Sequence, residues 1–205
     1  MRKARIERKT NEVDITGSIN IDGSGKTDIN VGAEPLNHLL TLFAFHGLFD
    51  LEIKAGGDLQ HHIIEDTAIA LGKALKSALG EKTGINRYGC FTMVMDKVAV
   101  ETAIDISGRP SFCLKITDNG FAEVNNVLET GTFDDSSFTY KQAEDFLESF
   151  LQHAGISMVC VIKSGQGDLH HILECLFKGF AKALAQSILI EPRRLGVPST
   201  KGIID

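Results

Sequence analysis

The sequence predicts an α/β or α+β domain of two similar lobes, with helices packed on sheet faces. Three observations point there. The run His61-His62-Ile63-Ile64-Glu65-Asp66 returns as His170-His171-Ile172-Leu173-Glu174, and each copy opens a long segment of helix-period apolar residues. Alternating apolar runs with period two precede both copies. Aligning His38 with Asp145, at an offset of 107, also aligns His46 with His153, and across the repeated motif the offset is 109. An internal duplication with pseudo-twofold symmetry follows, spanning approximately 1–88 and 89–205 and forming one functional unit.

In chain order, residues 11–21 read as a strand with Val13, Ile15, Ile19 and Ile21 on one face, closed by the turn Asp22 to Lys26. Pro35 suits the first turn of a helix carrying Leu36, Leu39, Leu40, Leu42 and Phe43. A strand from Phe49 to Ala55 ends at Gly56-Gly57-Asp58. The helix opened by the first motif carries Ile69, Leu71, Ala74, Leu75, Ala78 and Leu79 and stops near Gly80. Residues 90–106 hold two alternating runs, Ser107 to Pro110 a turn, and Phe112 to Ile116 a short strand. Residues 117–139 are polar and read as irregular. Lys141 to Ala154 is helical, Met158 to Ile162 a strand, and Gly165 to Gly167 a loop. The second motif then opens a helix with Leu176, Phe177, Phe180, Ala183, Leu184 and Ile188, and a basic tail loop runs from Pro192 to Gly202.

The chain has 205 residues, 43% hydrophobic and 23% charged. Its apolar runs fall far short of a membrane span, and the basic stretch Met1 to Arg5 leads into polar residues rather than a signal-peptide core. A soluble, cytoplasmic protein with no membrane partner is the expectation. Four cysteines sit singly without CxxC spacing and read as reduced core residues. A net charge of −6, the absence of Trp and only two Tyr argue against a nucleic-acid partner.

The chemistry lies in the repeated motif. On a helix, His61 and Glu65 are i and i+4 and share a face, as do His170 and Glu174. The second His of each pair points about 100° away, so adjacent histidines cannot easily chelate one ion. Two metals explain the motif better than one. Imidazole and carboxylate donors suit Mn²⁺, Fe²⁺, Zn²⁺ or Ni²⁺. Each i, i+4 pair then founds one set, His62 or His171 crosses to complement the opposite pair, and His38 and Asp145 complete one set each. A zinc-protease reading fails, because HExxH needs both histidines on one face. His46 and His153, near helix ends, suit capping or substrate contact equally.

Several stretches together resemble the imidazoleglycerol-phosphate dehydratase family: Leu36 to His46, the HHxxED run, Gly84-Ile85-Asn86-Arg87, Ile106 to Pro110, the second HHxxE, and Arg193-Arg194 through Val197 to Gly202. The resemblance runs in order over essentially the whole chain. It implies an α+β fold, a two-layer α/β sandwich whose βαβ-containing half is duplicated, with helices on one face of mixed sheets. It implies a hydro-lyase of histidine biosynthesis that converts imidazole glycerol phosphate to imidazole acetol phosphate with two manganese ions. Its active sites would be shared between the subunits of a homo-oligomer of twenty-four.

By the same resemblance one ion takes His38, His62, His170 and Glu174, and the other His61, Glu65, His171 and Asp145. Glu12 would accept the carbon-bound proton and touch substrate, and His46 would act beside it. Arg87, Arg109, Lys178, Ser199, Thr200 and Lys201 would bind substrate and its phosphate. The chain departs from the family's pattern at Asp145, where His is usual, at Asn37 and Gln60, where Asp is usual, at Glu34-Pro35, at Lys97 and across 117–139. The set completed by Asp145 is expected to hold its ion more loosely. A degenerate, non-catalytic paralogue that binds a phosphorylated small molecule in a metal-stabilised oligomer is the alternative. A metal-dependent hydrolase ranks third.

Overall fold

A computed structural model describes residues 1–117 and 119–204. Asp118, inside the stretch expected to be irregular, and Asp205, at the end of the second repeat, lie outside the described residues.

The first lobe runs β1 (Lys3–Lys9), β2 (Val13–Asn20), β3 (Thr27–Asn30), α1 (Glu34–Gly47), β4 (Asp50–Gly57) and α2 (Gln60–Leu79). The second runs β5 (Tyr88–Met95), β6 (Val98–Asp105), β7 (Ser111–Ile116), α3 (Phe121–Thr130), α4 (Tyr140–Ala154), β8 (Ser157–Gly165) and α5 (Leu169–Ile188). Strand order is β1-β2-β4-β3 in one sheet and β5-β6-β8-β7 in the other. In each, two antiparallel pairings are followed by one parallel pairing, β3 with β4 and β7 with β8. Each lobe is thus a mixed sheet covered by two helices, and α3 is extra to the second.

The expected strands and helices are present, and three further elements were not foreseen. β1, with the sequence KARIERK, has one fully buried apolar residue, Ile6. An edge strand needs no more, so it shows little alternation. β3 has four residues and one half-buried apolar side chain, Ile29. The reading of 117–139 as irregular is corrected by α3, which buries Val124 and Leu128. Two apolar anchors in ten residues leave too weak a period to see in the sequence. Cys160 and Cys175 are buried, whereas Cys90 is exposed, against the expectation that all four cysteines lie in the core.

The helices of the two lobes face each other between the sheets. α2 lies on β1 and β2 and packs against α4; α5 lies on β5 and β6 and packs against α1. Phe43 of α1 sits at the centre, its ring 5.0 Å from Phe180 of α5 and 6.0 Å from Phe150 of α4. A Cβ at Gly72 of α2 would meet the Phe150 carbonyl oxygen at 2.5 Å, so this glycine sets how closely α2 and α4 approach. α4 begins with a capping box in which Thr139 and Gln142 bond each other's ends. α5 begins with Asp168 accepting from the His171 N–H at 2.9 Å. Among the described residues no helix is long and apolar enough to cross a membrane.

Candidate metal centre and phosphate cleft

Both repeated motifs occupy first helical turns, as their sequence position dictates, and each brings its i, i+4 pair toward the helix of the opposite lobe. The α1–α5 contact puts His38 against His170 and Glu174, with one potential ligand atom of each inside a 4.8 Å group. His38 Nε2–H donates to Glu174 Oε1 at 2.5 Å, and His170 Nε2 lies 2.8 Å from the same oxygen. Lys178, one turn further along α5, donates to Glu174 Oε2. Burial works to raise the Glu174 pKa, but hydrogen bonds from Lys178, His38 and His170 outweigh it and hold the carboxyl at about 2. A buried anion surrounded by imidazoles and an ammonium, with no sulfur donor in the group, is a donor set that fits a borderline divalent cation.

The pseudo-twofold equivalent lies at the α2–α4 contact. His61, Glu65 and Asp145 line one cavity of about 270 Å³ together with Gln142, Glu148 and Ser149. This set is looser. Asp145 Oδ1 accepts from Lys141 Nζ at 2.8 Å, and the Asp145 side chain is half exposed.

The remaining histidines stand apart. His62 Nδ1 is 2.8 Å from Asp58 Oδ1 and 3.9 Å from a Glu12 carboxylate oxygen, and the Asp58 bond raises its pKa. His171 is 2.5 Å from Asp168 and 3.3 Å from Asp96. Among the described residues of one chain, His62 and His171 pair with carboxylates of their own lobes rather than crossing to the opposite pair, and His38, His170 and Glu174 are the group whose ligand atoms come together. His46, in the last turn of α1, faces α5. Burial, reinforced by the charges of Lys178 and Lys182, lowers its pKa and favours the neutral ring.

The expected phosphate ligands converge elsewhere. Arg87, Arg109, Ser199, Thr200 and Lys201 line one cleft of about 720 Å³, with Arg194 added. Arg87 Nε and Nη2 grip Asp105 at 2.6 and 3.0 Å, and Nη1 donates to the Pro198 carbonyl at 3.0 Å. One guanidinium thus ties the start of β5 to the end of β6 and to the tail loop. Lys178 is not in this cleft; it stands with Glu174.

Sequence reasoning missed Asp134, whose carboxylate accepts from His170 Nδ1–H at 2.8 and 2.9 Å. It also missed Phe133, whose ring stacks on His170 at 4.4 Å and 13°. Both come from 117–139, where periodicity gave no guide. Asp105 was missed too, and Arg87 at the head of a strand was its one visible partner. Asn37, beside His38, turns inward: its Oδ1 accepts from the Val31 N–H at 2.7 Å.

A family model described as imidazoleglycerol-phosphate dehydratase matches residues 31–184. The imidazoleglycerol-phosphate dehydratase of Pelobacter propionicus is 43% identical over 99% of both chains. That of a Thermoanaerobacter species is 41% identical over the whole of both. The crystal structure of the Staphylococcus aureus enzyme superposes with a TM-score of 0.76 at 28% identity, covering 92% of this chain and 99% of that one. The Pyrococcus furiosus enzyme gives 0.74 at 30%, covering 98% and 99%. A family match over residues 31–184, whole-length identity and a matching fold lead to one conclusion: the chain belongs to the imidazoleglycerol-phosphate dehydratase family.

Proposed function

We propose that this chain dehydrates imidazoleglycerol phosphate to imidazole acetol phosphate in histidine biosynthesis, as a cytoplasmic homo-oligomer of twenty-four subunits, with two manganese ions at each site. The observation that carries the metal reading is the buried Glu174 carboxylate shared by His38, His170 and Lys178. His38, His170 and Glu174 would hold one ion, and His61, Glu65 and Asp145 the other. Divalent cations there would supply positive charge against the negative charge that develops when the substrate loses a carbon-bound proton.

The geometry favours sites shared between copies. Arg87 N–H bonds the Ser187 carbonyl in the last turn of α5, whereas His170 is in the first; seventeen residues at a 1.5 Å rise separate them by about 25 Å. Gly108, beside Arg109, bonds Gly155 at the end of α4, ten residues or about 15 Å beyond Asp145. A three-carbon chain between imidazole and phosphate reaches at most about 10 Å. A phosphate held in this cleft is therefore out of reach of the His38, His170 and Glu174 set of its own chain, and another copy would serve it. Half-buried His62 lies beside exposed Glu12, so a neighbouring copy that supplied the fourth ligand would bring the proton acceptor with it.

The residues then divide the work. Glu12 takes the carbon-bound proton. His46, beside Lys178, takes up a proton from solvent and passes it to the departing hydroxyl, which leaves as water while the ring returns to its neutral form. Arg87, Arg109, Ser199, Thr200 and Lys201 hold the phosphate through guanidinium forks, hydroxyl donors and an ammonium. The test is a turnover assay on purified protein with defined metals. Glu12→Gln should abolish dehydration while metal content and assembly stay as in the parent. A parent chain that binds Mn²⁺ and assembles but never dehydrates the substrate overturns the catalytic reading in favour of a non-catalytic paralogue.

A further inference from the structure

The segment that makes the second lobe longer than the first ends in a tight turn against the metal set. The first lobe joins β3 to α1 through residues 31–33; the second joins β7 to α4 through 117–139. At the end of that insert the Phe133 N–H bonds the Phe138 carbonyl at 2.8 Å, Thr132 bridges to Thr139, and Thr132 Oγ1 donates to the Asp134 carbonyl at 3.1 Å. Asp134 sits in the turn with φ +50°, a left-handed conformation that few side chains other than Asn and Asp adopt readily. Its carboxylate meets His170 Nδ1–H, while the buried Phe133 ring lies flat on the imidazole. The ring is fixed in rotation by one neighbour and in tautomer by the other, leaving Nε2 aimed at Glu174. His61, the counterpart of His170, packs edge-on to His62 at 4.1 Å.

We infer that Asp134 and Phe133 are positioning residues that preset His170 for the first metal, a support the insert supplies to one of the two sets. The inference rests on His38, His170 and Glu174 being a metal set. Carboxylates behind ligand histidines contribute about 10- to 100-fold in metal affinity.

The experiment is a Mn²⁺ titration of the assembled protein, followed by the electron paramagnetic resonance of free Mn²⁺, with Co²⁺ absorption spectra in parallel. Asp134→Gly keeps the left-handed backbone and removes the acceptor; Asp134→Asn keeps both the backbone and an oxygen acceptor but no charge. The expected result is that one class of sites weakens at least tenfold in Asp134→Gly, with an altered Co²⁺ spectrum, and recovers partly in Asp134→Asn. The other class stays within twofold. Two unchanged classes, or both weakened alike together with a lower melting temperature, overturn the positioning role. A parent protein that takes up no Mn²⁺ overturns the metal reading itself.

Discussion

Gly72→Ala offers a test that joins packing to the second metal set. The new Cβ would lie 2.5 Å from the Phe150 carbonyl oxygen, 3.1 Å from the His153 Cβ and 3.2 Å from the Ala154 nitrogen. Non-bonded carbon contacts settle near 3.5 Å, so α2 and α4 must separate by about 1 Å, and the obstacle is backbone that cannot swing aside. Overpacking of this kind costs about 1–3 kcal/mol, and against backbone the upper part of that range applies, about 2–3 kcal/mol; replacing a mid-helix glycine by alanine returns about 1 kcal/mol. The net loss is about 1–2 kcal/mol, which for a chain of this size lowers the melting temperature by about 3–6 °C. His61 and Glu65 ride on α2 and Asp145 on α4, so the same shift opens the second set beyond the ~0.2 Å tolerance of metal–ligand bonds. One class of Mn²⁺ sites should weaken about tenfold, while the α1–α5 set is untouched. Calorimetry at fixed protein concentration and a Mn²⁺ titration read both effects. An unchanged or higher melting temperature, or two classes weakened equally, would refute the reasoning.

Three further outcomes follow from other contacts. Asp50 accepts the Ser24 N–H at 2.8 Å, Asn20 Nδ2–H at 3.0 Å and the Lys26 N–H at 3.2 Å, which lower its pKa from 3.8 to about 2. Because the folded value is depressed, the stabilisation is complete above pH ~4 and lost as pH falls through about 2. A fall from 3.8 to about 2 corresponds to ~2.5 kcal/mol, reduced by solvent screening to about 1 kcal/mol; the stability gap between parent and Asp50→Asn in urea melts should shrink over that window. Arg87→Lys loses the fork that holds Asp105 and Pro198 at once, so the KM for substrate should rise at least tenfold with metal stoichiometry unchanged, as steady-state kinetics and metal analysis would show. Asp145→His gives the second set the imidazole usual in the family and leaves Lys141 to Glu144, and should bring the affinity of the weaker Mn²⁺ class toward that of the stronger.

Much of the architecture was legible because buried faces impose a period. Strands β2, β4, β6 and β8 alternate, and α1, α2, α4 and α5 repeat apolar residues at helical spacing. β1, β3 and α3 were illegible for the converse reason: edge strands and a surface helix bury too few side chains to write a pattern. In the site, spacing within the motif correctly joined His170 to Glu174, and the duplication tied in His38. What the spacing could not supply was the partner of each second histidine, because His62 and His171 face outward toward Glu12 and Asp96. Nor could it reveal Asp134, which reaches His170 across 36 residues from a turn without periodicity.

The distance along α5 has a consequence for mixed populations. A chain crippled in its phosphate cleft still carries intact ligand sets, and a chain crippled at His170 still carries an intact cleft. Neither alone forms a working site, yet in the proposed assembly each supplies what the other lacks. Two inactive alleles expressed together would then restore part of the activity, and a single defective allele would dilute activity by the share of junctions it enters.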